Sequence, residues 1–211
     1  MPIPVIVWAV GAGIAAVAAA AGATAYAWEK PARGKKITLI GPKKAGKTTW
    51  RTFLETGTVP AGYKHTNVTE IIDKDFRLGD LKMKIRVSDM SGSSAALGEW
   101  REYSESADHV YFLIDITELA DDDYFDEARR FANQVSLWTS LTADLTLVAT
   151  HADRDPEWKN GDGYDDLRTR SAVTNLRQLM GASEVLVADL SSDSGCVDFT
   201  MSALTHFTKP K

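Results

Sequence analysis

Cysteine is nearly absent from the chain, since Cys196 is the only one among 211 residues. A single thiol excludes an intrachain disulfide, which agrees with a reducing compartment for the folded part of the chain.

An excess of positive charge is also missing, because the net charge is −5. Residues 29–36 carry +3, which leaves −8 for residues 37–211. This balance argues against a nucleic-acid-binding face on the globular part, and we expect no nucleic-acid partner.

Charged side chains are absent from residues 1–28. This run is long enough to cross the ~30 Å of hydrocarbon in a bilayer as a helix. Trp8 lies toward one end, Tyr26 and Trp28 lie toward the other, and a basic segment follows. Aromatic belts and the positive-inside rule therefore predict a single-pass membrane anchor with the C-terminal part in the cytoplasm.

Two other interpretations of residues 1–28 stay open. The stretch ATAYA resembles the cleavage site of a signal peptide, but the basic start of such a peptide is missing. The richness in alanine suits a buried core helix, because alanine inserts only marginally into membranes. With the anchor preferred, the predicted organisation is an N-terminal transmembrane helix over 1–28, a basic juxtamembrane linker over 29–36 and one globular domain over 37–211.

Phosphate binding is predicted by the stretch GPKKAGKTT, from Gly41 to Thr49. It fits the pattern GxxxxGK[ST], in which backbone N–H groups surround a polyphosphate. Lys47 would reach the terminal phosphates, and the Thr48 hydroxyl would bind Mg²⁺. The nucleotide contacts predicted in this loop are Gly41, Lys43, Lys44, Ala45, Gly46, Lys47, Thr48 and Thr49.

The segments around this loop predict a sheet that is covered by helices on both faces. A buried strand, KKITLI, precedes the loop, and a helix, TTWRTFLETG, follows it and ends at Gly57. LKMKIRVS alternates strictly and is predicted to pair in a hairpin with the strand before it. HVYFLIDIT and LTLVAT are apolar runs typical of strands covered on both faces. The order of elements predicts a three-layer α/β fold with a mostly parallel six-stranded sheet and one antiparallel edge strand.

Helices are predicted between the later strands. Apolar residues recur at helical spacing from Tyr124 to Leu141, and the acidic run Asp121 to Asp123 suits the positive N-terminus of that helix. We interpret this run as a helix cap and not as a metal site. A further helix is predicted through Leu167 and Leu176, ending at Gly181.

A second phosphate-site motif is predicted at DMSG, from Asp89 to Gly92, where a strand ends. Asp89 is placed to hold a Mg²⁺-bound water. The Gly92 N–H could approach a γ-phosphate, because no side chain intervenes. The alternative interpretation is an ordinary turn at the end of a strand.

In this order, the motifs resemble those of the Ras-like small GTPases, and the resemblance extends from Ile37 to about Phe207. It implies a Ras-like P-loop G domain that binds GTP or GDP with Mg²⁺. It also implies that Thr66 is the switch threonine on the metal and the γ-phosphate, with Thr69 as the alternative because loop lengths vary. The implied catalytic set is Lys47, Thr66 and Gly92, and the implied metal set is Thr48, Thr66 and Asp89.

The resemblance also implies a choice of base. THAD, from Thr150 to Asp153, is similar to the guanine motif [NT]KxD of the family. Asp153 would accept hydrogen bonds from the guanine ring N–H and exocyclic amine, which adenine does not offer there. His151 replaces the usual lysine, and its ring could lie along the base as the lysine stem does. Ser191 and Ser192 resemble the loop whose backbone lies behind the base.

The expected activity is a nucleotide switch with slow intrinsic GTP hydrolysis. Efficient family members usually carry glutamine directly after DxxG, and Ser93 is too short to orient the attacking water. A protein effector would recognise the switch regions around Thr66 and after Gly92. The layout of span, linker and G domain resembles the signal-recognition-particle receptor β subunit, whose G domain is closest to the Arf-like group.

Two other functions remain as alternatives. One is a non-hydrolysing pseudo-GTPase scaffold subunit that docks a partner at the membrane, an interpretation that Ser93 and His151 favour. The other is a P-loop ATPase or kinase, which the THAD motif disfavours.

Overall fold

The computed structural model describes residues 35–62, 70–78, 81–89, 94–138, 141–155 and 170–205. The predicted anchor and most of the basic linker lie outside these residues. Within the described part, no helix is long and apolar enough to cross a bilayer. The elements are β1 (Lys36–Ile40), α1 (Lys47–Thr56), β2 (Glu70–Leu78), β3 (Leu81–Asp89), α2 (Leu97–Glu105), β4 (His109–Asp115), α3 (Asp122–Ser136), β5 (Asp144–Thr150), α4 (Ser171–Met180), β6 (Glu184–Ala188) and α5 (Asp193–Thr205).

The strands form one sheet with the order β2-β3-β1-β4-β5-β6. Neighbours from β3 to β6 run parallel, and only the hairpin pair of β2 and β3 is antiparallel. The predicted α/β class with a mostly parallel sheet is therefore confirmed. Since parallel strands end at the same edge, the residues that follow β1, β3, β4, β5 and β6 all lie along one side of the sheet.

Apolar side chains cover both faces of the sheet, as the continuous runs in β4 and β5 predict. Tyr111 and Leu113 of β4 pack in one cluster with α1 and α5. The alternate residues Phe112 and Ile114 pack in a second cluster with α2, α3 and α4. Because neighbouring side chains of a strand point to opposite faces, these two clusters mark two helical layers around the sheet.

Three element ends differ from or refine the sequence prediction. The third helix ends at Ser136 and does not continue to Leu141, although Trp138 is still buried after the helix. The strand HVYFLIDIT stops at Asp115, whose carboxylate caps a short 3-10 turn over Ile116–Glu118. The fourth helix begins at Ser171, and Leu167 lies outside the described residues. Two predicted signals are confirmed, since Asp121 caps α3 and Gly57 ends α1.

The chain enters the sheet at the edge opposite to the phosphate loop. There the Asp108 carboxylate accepts hydrogen bonds from Lys35 Nζ and from the Lys36 N–H, both at 2.9 Å. Burial alone would raise the pKa of Asp108, but the hydrogen bonds from Lys35 and Lys36 and the two lysine charges together lower it. Asp108 thus fixes the start of β1 beside β4.

Candidate functional site

The loop between β1 and α1 requires glycine at its two ends. Gly41 has φ 133°, and a Cβ added there would collide with the Leu113 carbonyl oxygen of β4. Gly46 has φ 83°, and its Cβ would lie 2.8 Å from Leu190 Cδ1. Lys44 also adopts the left-handed conformation, with φ 63°. These positions bend the backbone into a compact loop that lies against the ends of β4 and β6.

Lys47 begins α1 and folds back over this loop. Its side chain is buried, and Nζ donates hydrogen bonds to the carbonyl oxygens of Gly41 at 2.8 Å and Pro42 at 2.6 Å. The ammonium group is therefore held within the loop. Thr48 and Thr49 are half-buried in the first turn of α1, while Lys43 and Lys44 are exposed on the loop.

The first turn of α1 is suited to an anion. Gly46 offers no side chain to cap the helix, and no acidic residue lies in the first turn. The N–H groups and the positive end of the helix dipole thus lie next to the Lys47 ammonium. The arrangement can bind phosphate groups through backbone N–H donors and one buried cation.

Thr150, at the end of β5, joins this loop to the neighbouring strands. Its hydroxyl lies 2.8 Å from the Ile114 carbonyl oxygen of β4 and 3.3 Å from the Ala45 carbonyl oxygen of the loop. Registers that pair Thr150 with Asp115 and with Ala188 place the ends of β4, β5 and β6 side by side. The THAD segment therefore starts at the same edge as the phosphate loop.

His151 is held against the end of β4. It has φ 60°, and its Nδ1 lies 3.2 Å from Asp115 Oδ2 and 2.9 Å from Thr150 Oγ1. Burial lowers the pKa of His151, although the Asp115 carboxylate acts in the opposite direction. The ring is therefore neutral at pH 7. Because a carboxylate only accepts, we assign the proton to Nδ1, which leaves Nε2 as an acceptor.

Asp153 lies within the short 3-10 turn Ala152–Arg154 that follows. Its Oδ2 lies 3.8 Å from Arg154 Nε, whereas its Oδ1 is buried and has no hydrogen-bond partner among the described residues. A buried carboxylate oxygen without a donor is costly to a folded protein. A ligand with N–H donors would remove that cost.

The segment after β6 forms its own hydrogen-bonded turn. The Ser191 N–H and hydroxyl both donate to Asp189 Oδ1, at 2.8 and 2.6 Å. Ser192 Oγ accepts from the Gly195 N–H at 3.1 Å and so caps α5. Since Leu190 lies close to Gly46, this turn lies beside the phosphate loop.

The remaining predicted residues are only partly described. Asp89 ends β3, and its backbone pairs with Leu39 of β1, two residues before Gly41. Thr66, Thr69, Gly92 and Ser93 lie outside the described residues. The structure thus brings the phosphate loop, the THAD turn and the Ser191–Ser192 turn to one edge of the sheet.

Two residues at this edge of the sheet were not predicted as site residues from the sequence. Asp115 anchors His151, and its own N–H donates to the Tyr124 hydroxyl at 2.8 Å. Asp189 organises the turn that holds Ser191. Both are polar residues at or just after the carboxyl end of a predicted strand, as Asp89 is, and that shared position was the available signal.

The comparisons with known proteins find a similar structure but no similar sequence. No family model matches the chain, and no curated protein matches it. A solved structure of the Arl6 (BBS3) small GTPase from Trypanosoma brucei, with bound nucleotide analogue GppNp, superposes with a TM-score of 0.58. It is 16% identical, and the alignment covers 82% of this chain and 96% of that one. Together with the sheet order and the glycine loop, this similarity shows that the chain has the Ras-like and Arf-like small-GTPase fold.

Proposed function

We propose that the chain is a membrane-anchored GTP-binding protein that acts as a nucleotide-dependent switch, with slow intrinsic hydrolysis. The observation that carries the proposal is the hydrogen bonding of Thr150 to both β4 and the phosphate loop. Through these bonds the Lys47 loop and the Asp153 turn lie at one edge of the sheet, where the buried Asp153 Oδ1 has no hydrogen-bond partner among the described residues. A phosphate site and a carboxylate facing base donors are the two parts that guanine nucleotide binding requires.

The phosphates would lie on the N–H groups between Gly41 and Thr49. Lys47 would exchange its contacts with the Gly41 and Pro42 carbonyl oxygens for contacts with the terminal phosphates. The exposed Lys43 and Lys44 would add positive potential at the rim. This part of the site would suit a polyphosphate because the N–H groups at the start of α1 and the Lys47 ammonium lie together.

The base would be selected by Asp153. Its buried Oδ1 and its Oδ2 can accept the ring N–H and the exocyclic amine of guanine in parallel. The His151 ring would lie near the base, oriented by Asp115. The Ser191–Ser192 turn would support the base from the side of β6.

Mg²⁺ is proposed to bind through Thr48, Thr66 and Asp89. Thr48 lies in the first turn of α1, and the Asp89 backbone lies beside β1, so the described part of this set lies next to the phosphate loop. Hydroxyl and carboxylate oxygens are the ligands that Mg²⁺ prefers. The metal would supply charge neutralisation between the phosphates. Thr66 and Gly92 would sense the γ-phosphate and so present the switch regions to a protein effector.

Membrane attachment is proposed for residues 1–28, with the G domain in the cytoplasm. The proposal rests on the uncharged run and on the basic residues that follow it. The contacts of Asp108 with Lys35 and Lys36 put the start of the domain at the edge opposite to the nucleotide site. An anchored domain could therefore direct that site away from the bilayer.

Nucleotide identification tests the proposal. The full-length chain, purified in a mild detergent with Mg²⁺, should release guanine nucleotide on denaturation, and a Lys47→Ala variant should release little or none. Arg101→Ala is a matched control, because Arg101 is an exposed cation that pairs with Glu105 of its own helix. Adenine nucleotide in the wild-type chain would contradict the proposal. Equal steady-state GTP hydrolysis by the wild type and the Lys47→Ala variant would remove hydrolysis from it.

A further inference from the structure

The turn that carries Asp153 is fixed on both sides by side chains that the THAD motif does not include. We call residues 151–155 the Asp153 turn. On one side, His151 is tied to Asp115 of β4. On the other side, Asp155 is tied to Arg170, which immediately precedes α4. Asp153 lies between these two attachments.

The attachment through Arg170 is the stronger of the two. Arg170 Nη1 and Nη2 donate to the two carboxylate oxygens of Asp155, at 2.5 and 2.8 Å. The Asp155 residue is 3% exposed. A two-pronged contact between guanidinium and carboxylate fixes both distance and orientation, which a single contact does not do.

Arg170 is itself immobilised by the core. Its carbonyl oxygen accepts the Thr174 N–H at 2.8 Å, so it is built into the first turn of α4. Val173, Leu176 and Met180 of this helix are buried against the sheet and α3. The ion pair therefore holds the Asp153 turn in a fixed position relative to the packed helix α4.

Asp153 needs such an outside support. Among the described residues, its side chain has only the 3.8 Å contact with the neighbouring Arg154, and its Oδ1 has no hydrogen-bond partner. Its orientation must therefore come from the backbone of the short turn. Two parallel hydrogen bonds to a base tolerate little displacement of the accepting carboxylate, so the support of the turn decides how well the base is distinguished.

We propose that Arg170, acting through Asp155, is a positioning residue for guanine selection by Asp153. The inference rests on the proposed function. A positioning role differs from a purely structural role. In a structural role, the Arg170–Asp155 ion pair would only join the two chain segments that flank residues 156–169. A structural role predicts a change in stability without a change in base preference.

Inosine diphosphate separates the two roles, because it lacks the exocyclic amine and offers the Asp153 carboxylate only one of the two donors. The measurement is the ratio of the dissociation constants of IDP and GDP for the full-length chain in mild detergent. The wild type should prefer GDP by at least about tenfold, since the second hydrogen bond involves a charged acceptor. Arg170→Gln should lower this preference at least about threefold, and Arg170→Lys should lie between, because lysine keeps the charge without the fork.

Arg177→Gln is the matched control. Arg177 lies on the same helix and donates to the carbonyl oxygens of Ala182 and Ser183, away from the Asp153 turn. Its variant should keep the wild-type preference. The double variant Asp155→Asn/Arg170→Gln guards against misfolding, because it removes the buried carboxylate together with the guanidinium, and its preference should also fall.

The outcomes separate this inference from the proposed function. A preference that falls in Arg170→Gln and in the double variant but not in Arg177→Gln supports the inference. If both Arg170 variants keep the wild-type preference for GDP over IDP and only their melting temperature falls, the positioning role of Arg170 is wrong. Guanine binding by the chain would not be contradicted by that result. A wild-type chain that binds neither diphosphate overturns the proposed function and this inference with it.

Discussion

At the residue scale, the site combines local signals with contacts that only the fold creates. Gly41, Gly46 and Lys47 could be predicted because their roles follow from spacing within one loop. The partners of His151 and Asp155 could not, since Asp115 lies 36 residues before His151 and Arg170 lies 15 residues after Asp155. No periodicity connects such positions, and the β4–β5 register and the start of α4 bring them together.

His151 makes the stability of the domain dependent on pH. Its pKa in the folded state is lowered by burial from the ordinary value of 6.5. The unfolded chain therefore binds this proton more readily, and the free energy of unfolding should fall as the pH drops below about 6.5 toward the lowered value. The loss should cease once the pH is below both pKa values.

Urea denaturation between pH 5 and pH 7.5 checks this, with His151→Asn as the comparison. Asparagine tolerates the left-handed backbone at φ 60° and does not titrate. The wild-type chain should lose more stability on acidification than the variant does. Parallel pH profiles for the two proteins would show that His151 is not buried as the structure has it.

At the element scale, α1 is important because it carries Lys47 at its first position. The helix packs through Trp50. The centroid of its ring lies 5.1 Å from the ring centroid of Tyr111 in β4 and 4.5 Å from that of Phe199 in α5. Trp50 Nε1 also donates to Thr200 Oγ1 at 3.0 Å. These contacts hold the N-terminus of the helix, and with it the phosphate loop, against the sheet.

Trp50→Ala should lower the free energy of unfolding by about 3–5 kcal/mol, because it leaves a large cavity and removes the indole donor from the Thr200 hydroxyl. Leu137→Ala is the control, since Leu137 is 68% exposed and should cost less than about 0.5 kcal/mol. Urea denaturation of both variants measures the difference. Similar stabilities for the two would contradict the packing of α1.

Elements were predicted better than their ends. The strands β4 and β5 and the stop of α1 at Gly57 follow from strong local patterns. The end of α3 did not, because the apolar spacing continues to Leu141 while the helix stops at Ser136. Trp138 is buried after the helix, so tertiary packing and not helical propensity explains its place in the apolar pattern.

At the scale of the whole molecule, the start of the domain and the candidate nucleotide site lie at opposite ends of the strands. The chain enters beside Asp108 at one edge, and the phosphate loop and the Asp153 turn lie at the other. The charge of −8 on residues 37–211 disfavours electrostatic attachment of the domain itself to an anionic membrane.

Membrane attachment should therefore depend on the N-terminal residues alone. The full-length chain should stay in the membrane pellet after washing with high salt and alkaline carbonate, because an uncharged run of this length inserts into hydrocarbon. A fragment of residues 35–211 should appear in the supernatant with the same affinity for GDP. Release of the full-length chain by the alkaline wash would contradict the anchor.

The most direct test of guanine selection by Asp153 is the base preference of Asp153→Asn. Xanthine carries a carbonyl oxygen where guanine carries the exocyclic amine, so an asparagine amide can donate to that oxygen while its own oxygen accepts the ring N–H. In competition against a labelled nucleotide with Mg²⁺, the wild type should prefer GDP over XDP, and the variant should prefer XDP. With guanine bound, the amide N–H of the variant would face the exocyclic amine, donor against donor, so GDP affinity should fall at least about tenfold. A variant that keeps the wild-type preference for GDP would contradict the account.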